Sequence, residues 1–96
     1  MNRYVLSPRT ASDLNNIWDH TQTQWGAAQA ENYIRDIQRA IEGAVADPRR
    51  GRPCDHVRPG YFKLSAGSHV IFYRLRGDEL DVVRILHQRM DFDRHL

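Results

Sequence analysis

Cysteine is nearly missing from this 96-residue chain, where Cys54 stands alone. That excludes an intrachain disulfide. With no CxxC or Cys/His spacing around it, the common zinc sites are excluded too, and a reducing compartment fits best. Lysine is as scarce, Lys63 being the only one, so arginine carries the basic charge. Neither sign dominates: 14 bases face 12 acids, for a net charge of +2. A non-specific nucleic-acid binder usually shows a stripe of bases with few acids nearby. No run approaches the ~18 apolar residues that span a bilayer. "MNRYVLSPRT" lacks the apolar stretch of a signal peptide. The expectation is a soluble cytoplasmic protein, one domain over residues 1–96. A chain of this length builds one modest core and has little left for a deep pocket.

What is present is periodicity. "NRYVL" at 2–6 reads as a strand, followed by Ser7 as a helix N-cap and Pro8 at the first helical position. A helix over Pro8–Gln24 places Ala11, Leu14, Ile17 and Trp18 on one face. Gly26 ends it by accepting a left-handed conformation. A second helix, Ala27–Ala46, repeats Ala30, Tyr33, Ile34, Ile37, Ile41, Ala44 and Val45 at three- and four-residue spacing, with a Glu31–Arg35 pair outside. "DPRRGRPCDHVRPG" is a basic loop broken by proline and glycine. Strands at 61–65, 69–75 and 79–87 with glycine-containing turns predict an antiparallel meander. The last is apolar on both faces near its middle and therefore central, with Leu80, Val82, Arg84 and Leu86 on one side and Asp81, Val83, Ile85 and His87 on the other. The fold class is α+β, β-α-α-β-β-β, a helical hairpin packed on a small antiparallel sheet.

Candidate chemistry is thin. The five histidines, His20, His56, His69, His87 and His95, show no i, i+4 pair and no accompanying carboxylate cluster, so neither a metal nor a cofactor is expected. Ser65, Ser68, His69 and His87 lie on neighbouring strands without a GxSxG elbow. Metal-free RNA cleavage needs a proton donor and acceptor beside cations for the phosphate. Arg52, Arg58, Lys63, Arg84, His87 and Arg89 are of the right kinds. Their ordinary readings are favoured: loop arginines are solvated, and Arg84 pairs with an Asp or lays its stem over the core rim. Trp18 is read as core. Trp25, at the hairpin tip, caps the hairpin in the favoured reading and anchors a partner in the other. In the tail "QRMDFDRHL", Met90, Phe92 and Leu96 either tuck onto the sheet, which is favoured, or face a partner.

The segments "YVLSPRTASDLNNIWDHTQTQWG", "RPGYFKLSAGSHVIFYR" and "VVRILHQRMD" together resemble the ParE branch of the RelE/ParE toxins of bacterial toxin–antitoxin modules. The resemblance covers nearly the whole chain and implies the same hairpin-on-sheet fold. It implies a toxin that traps DNA gyrase with its DNA cleaved and catalyses nothing itself. A ParD-like antitoxin would neutralise it and carry the contact to operator DNA. The RelE-like relatives cut mRNA instead, and this chain departs from them. Its aromatic near the end is Phe92, which has no hydroxyl, Val70 stands where an arginine would face it, and lysine is limited to Lys63. The expected gyrase surface is Arg49, Arg50, Arg52, His87, Arg89, Met90, Asp91, Phe92 and His95. The expected antitoxin surface, the groove between hairpin and sheet plus the strand edges, is Leu14, Trp18, Trp25, Tyr33, Tyr61 and Phe72. An mRNA endonuclease is the alternative, and an inactive module that keeps only the antitoxin surface is a third.

Overall fold

The structure, a computed structural model, describes residues 3–96. Met1 and Asn2, and with them the start of the expected first strand, lie outside the described residues. The elements are β1 (Arg3–Leu6), α1 (Pro8–Trp25), α2 (Ala27–Ala46), a 3₁₀ turn (Pro48–Arg50), β2 (Arg52–Pro53), β3 (Tyr61–Ala66), β4 (His69–Arg76), β5 (Glu79–His87) and α3 (Phe92–His95). The sheet runs β1-β5-β4-β3-β2. The β3-β4-β5 meander is antiparallel as expected, but β1 joins β5 in parallel, so the sheet is mixed. The chain must cross the helical hairpin before it returns to pair with β1, and such a crossover delivers a parallel neighbour. The central place of β5, between β1 and β4, follows its two apolar faces.

Ser7 begins α1 as read from sequence, its Oγ accepting the Thr10 N–H at 3.0 Å with Pro8 following. The buried face is rotated from the apolar count. Thr10, Asp13 and Ile17 are buried, Ala11 is exposed, and Trp18 is half-buried at the margin rather than in the core. Two polar residues displace the apolar ones because β5 has groups to bond them. Thr10 Oγ1 donates to the Val82 carbonyl at 2.9 Å, and Asp13 takes the Ile85 N–H at 3.0 Å. Gly26 does end α1 with positive φ, but in an extended conformation (φ 92°, ψ 165°) rather than a left-handed helical one. That region is essentially glycine's alone.

A bulge in β5 organises the rest. Val82 faces Tyr73 and Arg84 faces Phe72, which leaves Val83 as the extra residue. The alternation expected along this strand therefore breaks. Leu80, Val82 and Ile85 join the core under the hairpin with Ile17, Ile37, Ile41, Ile71 and Tyr73. Val83 and Leu86 join a second core on the opposite face with Cys54, Val70 and Phe72. Burial raises the Cys54 thiol pKa, Asp55 adding to the rise and Lys63 opposing it. The C-terminal tail closes the second core, as the tucked reading expects. Phe92 meets Phe72 edge-on at 4.8 Å between centroids, and Leu96 packs beside it. Arg58 donates to the backbone oxygens of Asp93 and Leu96, and Arg84 Nη1 donates to that of His95 at 2.7 Å. Two arginines thus neutralise the carbonyl end of α3.

Candidate functional site

The hairpin link is a single residue, Gly26, which sets the last turn of α1 directly before the first turn of α2. Trp25 ends that turn and is 74% exposed, which overturns the packed reading. Beneath it, α2 presents Tyr33 to the β3–β4 turn. The Tyr33 hydroxyl lies 2.6 Å from His69 Nδ1 and accepts the Ser68 N–H at 2.9 Å. Gly67 holds the turn at φ 60°, and a Cβ there would fall 2.6 Å from the Tyr33 ring. The His69 and His87 rings meet edge-on, centroids 5.3 Å apart. Burial first, then His87 and His20, lower the His69 pKa from 6.5, against a weaker pull from Asp13. The His69 tautomer sets the direction of that bond: with the proton on Nε2 the phenol donates to Nδ1, and with it on Nδ1 the phenol accepts and donates to the Ala66 carbonyl at 3.4 Å.

The bulge makes this pair. The two-residue turn at Gly77 and Asp78 sets Arg76 opposite Glu79. Counted straight on, His69 would meet Leu86; the extra residue at Val83 moves the far end by one, and His69 meets His87. A cavity of about 390 Å³ is lined by Trp25, Gln29, Tyr33, His20, His69 and His87 among others. An adjoining one of about 420 Å³ shares the three histidines and extends to Met90 and His95. Four histidines scattered in sequence therefore share one surface. Sequence reading missed His20 and His69 because their proximity depends on the bulge and on the hairpin's packing. Among the described residues, no group of three or more His, Cys, Asp or Glu is placed to hold a metal.

The surface expected to meet gyrase is split. His87, Met90 and His95 lie at this hairpin end. Arg49 and Arg50 lie past the carboxyl end of α2, where the Arg50 side chain crosses Gly43 and Arg52 starts β2. That 20-residue helix is about 30 Å long at 1.5 Å per residue, so the two groups stand at opposite ends of the molecule. The loop end is pinned by Tyr73, whose buried hydroxyl donates to the Pro48 carbonyl at 2.7 Å and accepts the Gly51 N–H at 2.9 Å. Burial is the main reason the Tyr73 pKa is raised. Arg89 is exposed, its N–H on His87 Nδ1 at 3.1 Å, and Asp91 caps α3 through Asp93 N. Phe92, expected on the docking surface, is half-buried and packs against the second core.

The residues expected to meet the antitoxin also divide. Leu14 lines an apolar groove of about 190 Å³ with Tyr4, Leu6, Ile34, Ile37 and Ile41. It runs beside the edge strand β1, where Val5 and Leu6 are each 40% exposed. Trp25 and Tyr33 belong to the histidine surface, Trp18 is half-buried, and Tyr61 packs against the second core. Phe72 is 0% exposed beneath Phe92; it offers no surface, which corrects that expectation.

The groups weighed for RNA cleavage do not converge. Arg84 makes a two-pronged bond to Asp13, 2.9 and 2.8 Å, which is the main cause of its raised pKa. Arg58 is held by the tail. By register Arg52 and Lys63 share the sheet face with Phe72, away from the hairpin, while His87 opens on the hairpin side. No described helix is long and apolar enough to cross a membrane.

A sequence profile described as "ParE toxin of type II toxin-antitoxin system, parDE" matches residues 4–92. "Toxin ParE1" of Mycobacterium tuberculosis is 59% identical over 95 residues, covering 98% of this chain and 97% of that one. "Toxin ParE1" of Caulobacter vibrioides is 41% identical over 96 residues, covering 100% and 99%. A solved structure, "Chromosomal ParDE TA system from P. aeruginosa", superposes with a TM-score of 0.77 at 26% identity, over 91% of this chain and 95% of that one.

Proposed function

The chain belongs to the ParE toxin family of type II toxin–antitoxin systems, and we propose that it acts in the cytoplasm by binding and inhibiting DNA gyrase through its hairpin-end surface, without chemistry of its own. The observation that carries this reading is the exposed Trp25 standing over the ordered Tyr33–His69–His87 cluster, with Met90 and Arg89 alongside. Aromatic residues, Met and Arg are the side chains enriched where binding energy concentrates. Tyr33 is held by bonds to Ser68 and His69, so little side-chain freedom remains to be lost on docking.

The absence of convergence among Arg52, Arg58, Lys63, Arg84 and His87 disfavours the endonuclease alternative, because a metal-free site needs cation, base and acid on one phosphate. A ParD-like antitoxin would lay an apolar segment in the groove of Leu14, Ile34 and Ile37 and add backbone bonds along the open edge of β1. Operator DNA would then be reached through that antitoxin.

The test is purified toxin with gyrase, relaxed plasmid and ATP. Lost supercoiling with accumulated cleaved DNA is the expected result. Unchanged gyrase, with mRNA cut in a translation extract, would replace this reading by the nuclease one. Silence in both assays would favour the inactive module.

A further inference from the structure

The sheet face away from the hairpin is closed only in part. The tail covers Phe72, Val83 and Leu86. Across the remainder, register lays out a basic band. Arg3 pairs with Glu79, which pairs with Arg76. One row on, Val5, Asp81, Arg74 and Tyr61 are aligned, and beyond them Lys63 pairs with Arg52. Residues in register, and those two apart on one strand, point to the same face. Arg3, Arg76, Arg74, Lys63 and Arg52 therefore share that face and reach from one sheet edge to the other. Five strands at ~4.8 Å spacing give a band about 19 Å wide.

Two acids, Glu79 and Asp81, lie in register within the band and pair with its arginines, and Asp78 lies beside Arg3 and Arg76 at the turn. Asp81 Oδ2 meets Arg74 Nε at 3.3 Å and Arg76 Nε at 3.4 Å. Glu79 meets Arg3 Nε at 2.9 Å. Each of these ion pairs is made at the Nε edge. The Arg3, Arg76 and Arg74 side chains are 74%, 65% and 40% exposed. The cleft of about 500 Å³ beside Arg3 and Arg76 is lined by as many acids, Asp78 and Glu79, so it does not select a small anion; cations spread across a sheet face suit phosphates along a backbone.

The geometry points to this band as a second, sequence-independent docking face for the phosphate backbone of duplex DNA, separate from the hairpin-end surface. It does not depend on the gyrase reading, because it concerns the toxin and DNA alone.

The experiment is fluorescence anisotropy of a labelled 20-base-pair duplex with the full chain across a salt series. If three phosphates are neutralised, affinity falls roughly twentyfold between 50 and 150 mM salt, from a slope of about −0.9 per contact. The double variant Arg74→Gln with Arg76→Gln removes two of those contacts, leaving a fall of about threefold and weaker binding at every salt concentration. Arg49→Ala with Arg50→Ala, outside the band, leaves both quantities unchanged. Should the double variant lose its native melting transition, Arg3→Gln with Lys63→Gln takes its place, with weaker binding and a fall smaller than the wild-type twentyfold expected over the same salt range. No binding at 50 mM salt, binding lost with Arg49 and Arg50 instead, or tighter binding to an acidic peptide of equal charge than to the duplex would each overturn the proposal.

Discussion

Two tyrosines pin the two ends of this molecule, and they do so differently. At the loop end, Tyr73 is wholly buried and bonded to two backbone groups, Pro48 C=O and Gly51 N–H. At the hairpin end, Tyr33 is half-buried, bonded to the Ser68 N–H, at a longer 3.4 Å to the Ala66 carbonyl, and to a titratable ring, His69. Each ring crowds a glycine, Gly51 and Gly67. The loop end is built as structure: its hydroxyl has no choice of partner, and the arginines it carries are solvated. The hairpin end is built with an adjustable partner and an uncovered tryptophan, the arrangement of a surface meant to meet another protein.

The comparison breaks first, and hardest, at Gly51. A Cβ there would sit on the Tyr73 hydroxyl, with nowhere to move in the core. Gly51→Ala should cost about 3 kcal/mol through overpacking and two lost hydrogen bonds. A chemical-denaturation midpoint unchanged from wild type would contradict this.

Removing each hydroxyl in turn sharpens the contrast. Tyr73→Phe strands the buried Gly51 N–H and the part-buried Pro48 carbonyl and should cost about 2 kcal/mol, near 10 °C in Tm for a chain of this size. Tyr33→Phe leaves groups that water can reach and should cost under ~1 kcal/mol. Calorimetry that finds equal losses would erase the distinction between the ends.

A smaller effect separates them by pH. Burial and the neighbouring His87 and His20 place the folded pKa of His69 below its ordinary 6.5. A depressed folded pKa means the unfolded chain binds the proton more readily. Stability is therefore full above about pH 6.5 and declines as the pH falls toward the folded pKa. His69→Gln should flatten the decline seen in thermal melts between pH 7 and 5. An unaltered slope would assign it to other groups.

Much of this was legible in the sequence. The hairpin, the Ser7 cap, the three-strand meander and the central β5 all follow from periodicity and turn residues, which are local signals. What escaped depends on non-local geometry. The parallel seat of β1 and the bulge at Val83 have no composition cue here, since no glycine marks the bulge. From the bulge follow the altered faces of β5 and the His69–His87 pair. The misread face of α1 has a similar origin. Thr10 and Asp13 look solvent-facing until β5 supplies the Val82 carbonyl, the Ile85 N–H and Arg84. Trp25 was misjudged because an apolar residue at a helix end reads as packing, and its 74% exposure depends on how the hairpin sits on the sheet.

The most direct measurement compares the two ends in one gyrase-trapping titration. Trp25→Ala removes an exposed side chain and should leave stability within ~0.5 kcal/mol, yet raise the toxin concentration for half-maximal DNA cleavage at least tenfold. Arg49→Ala with Arg50→Ala should leave that concentration near the wild-type value. Undiminished trapping by Trp25→Ala, with loss in the loop variant, would place the active surface at the wrong end of α2 and contradict the account.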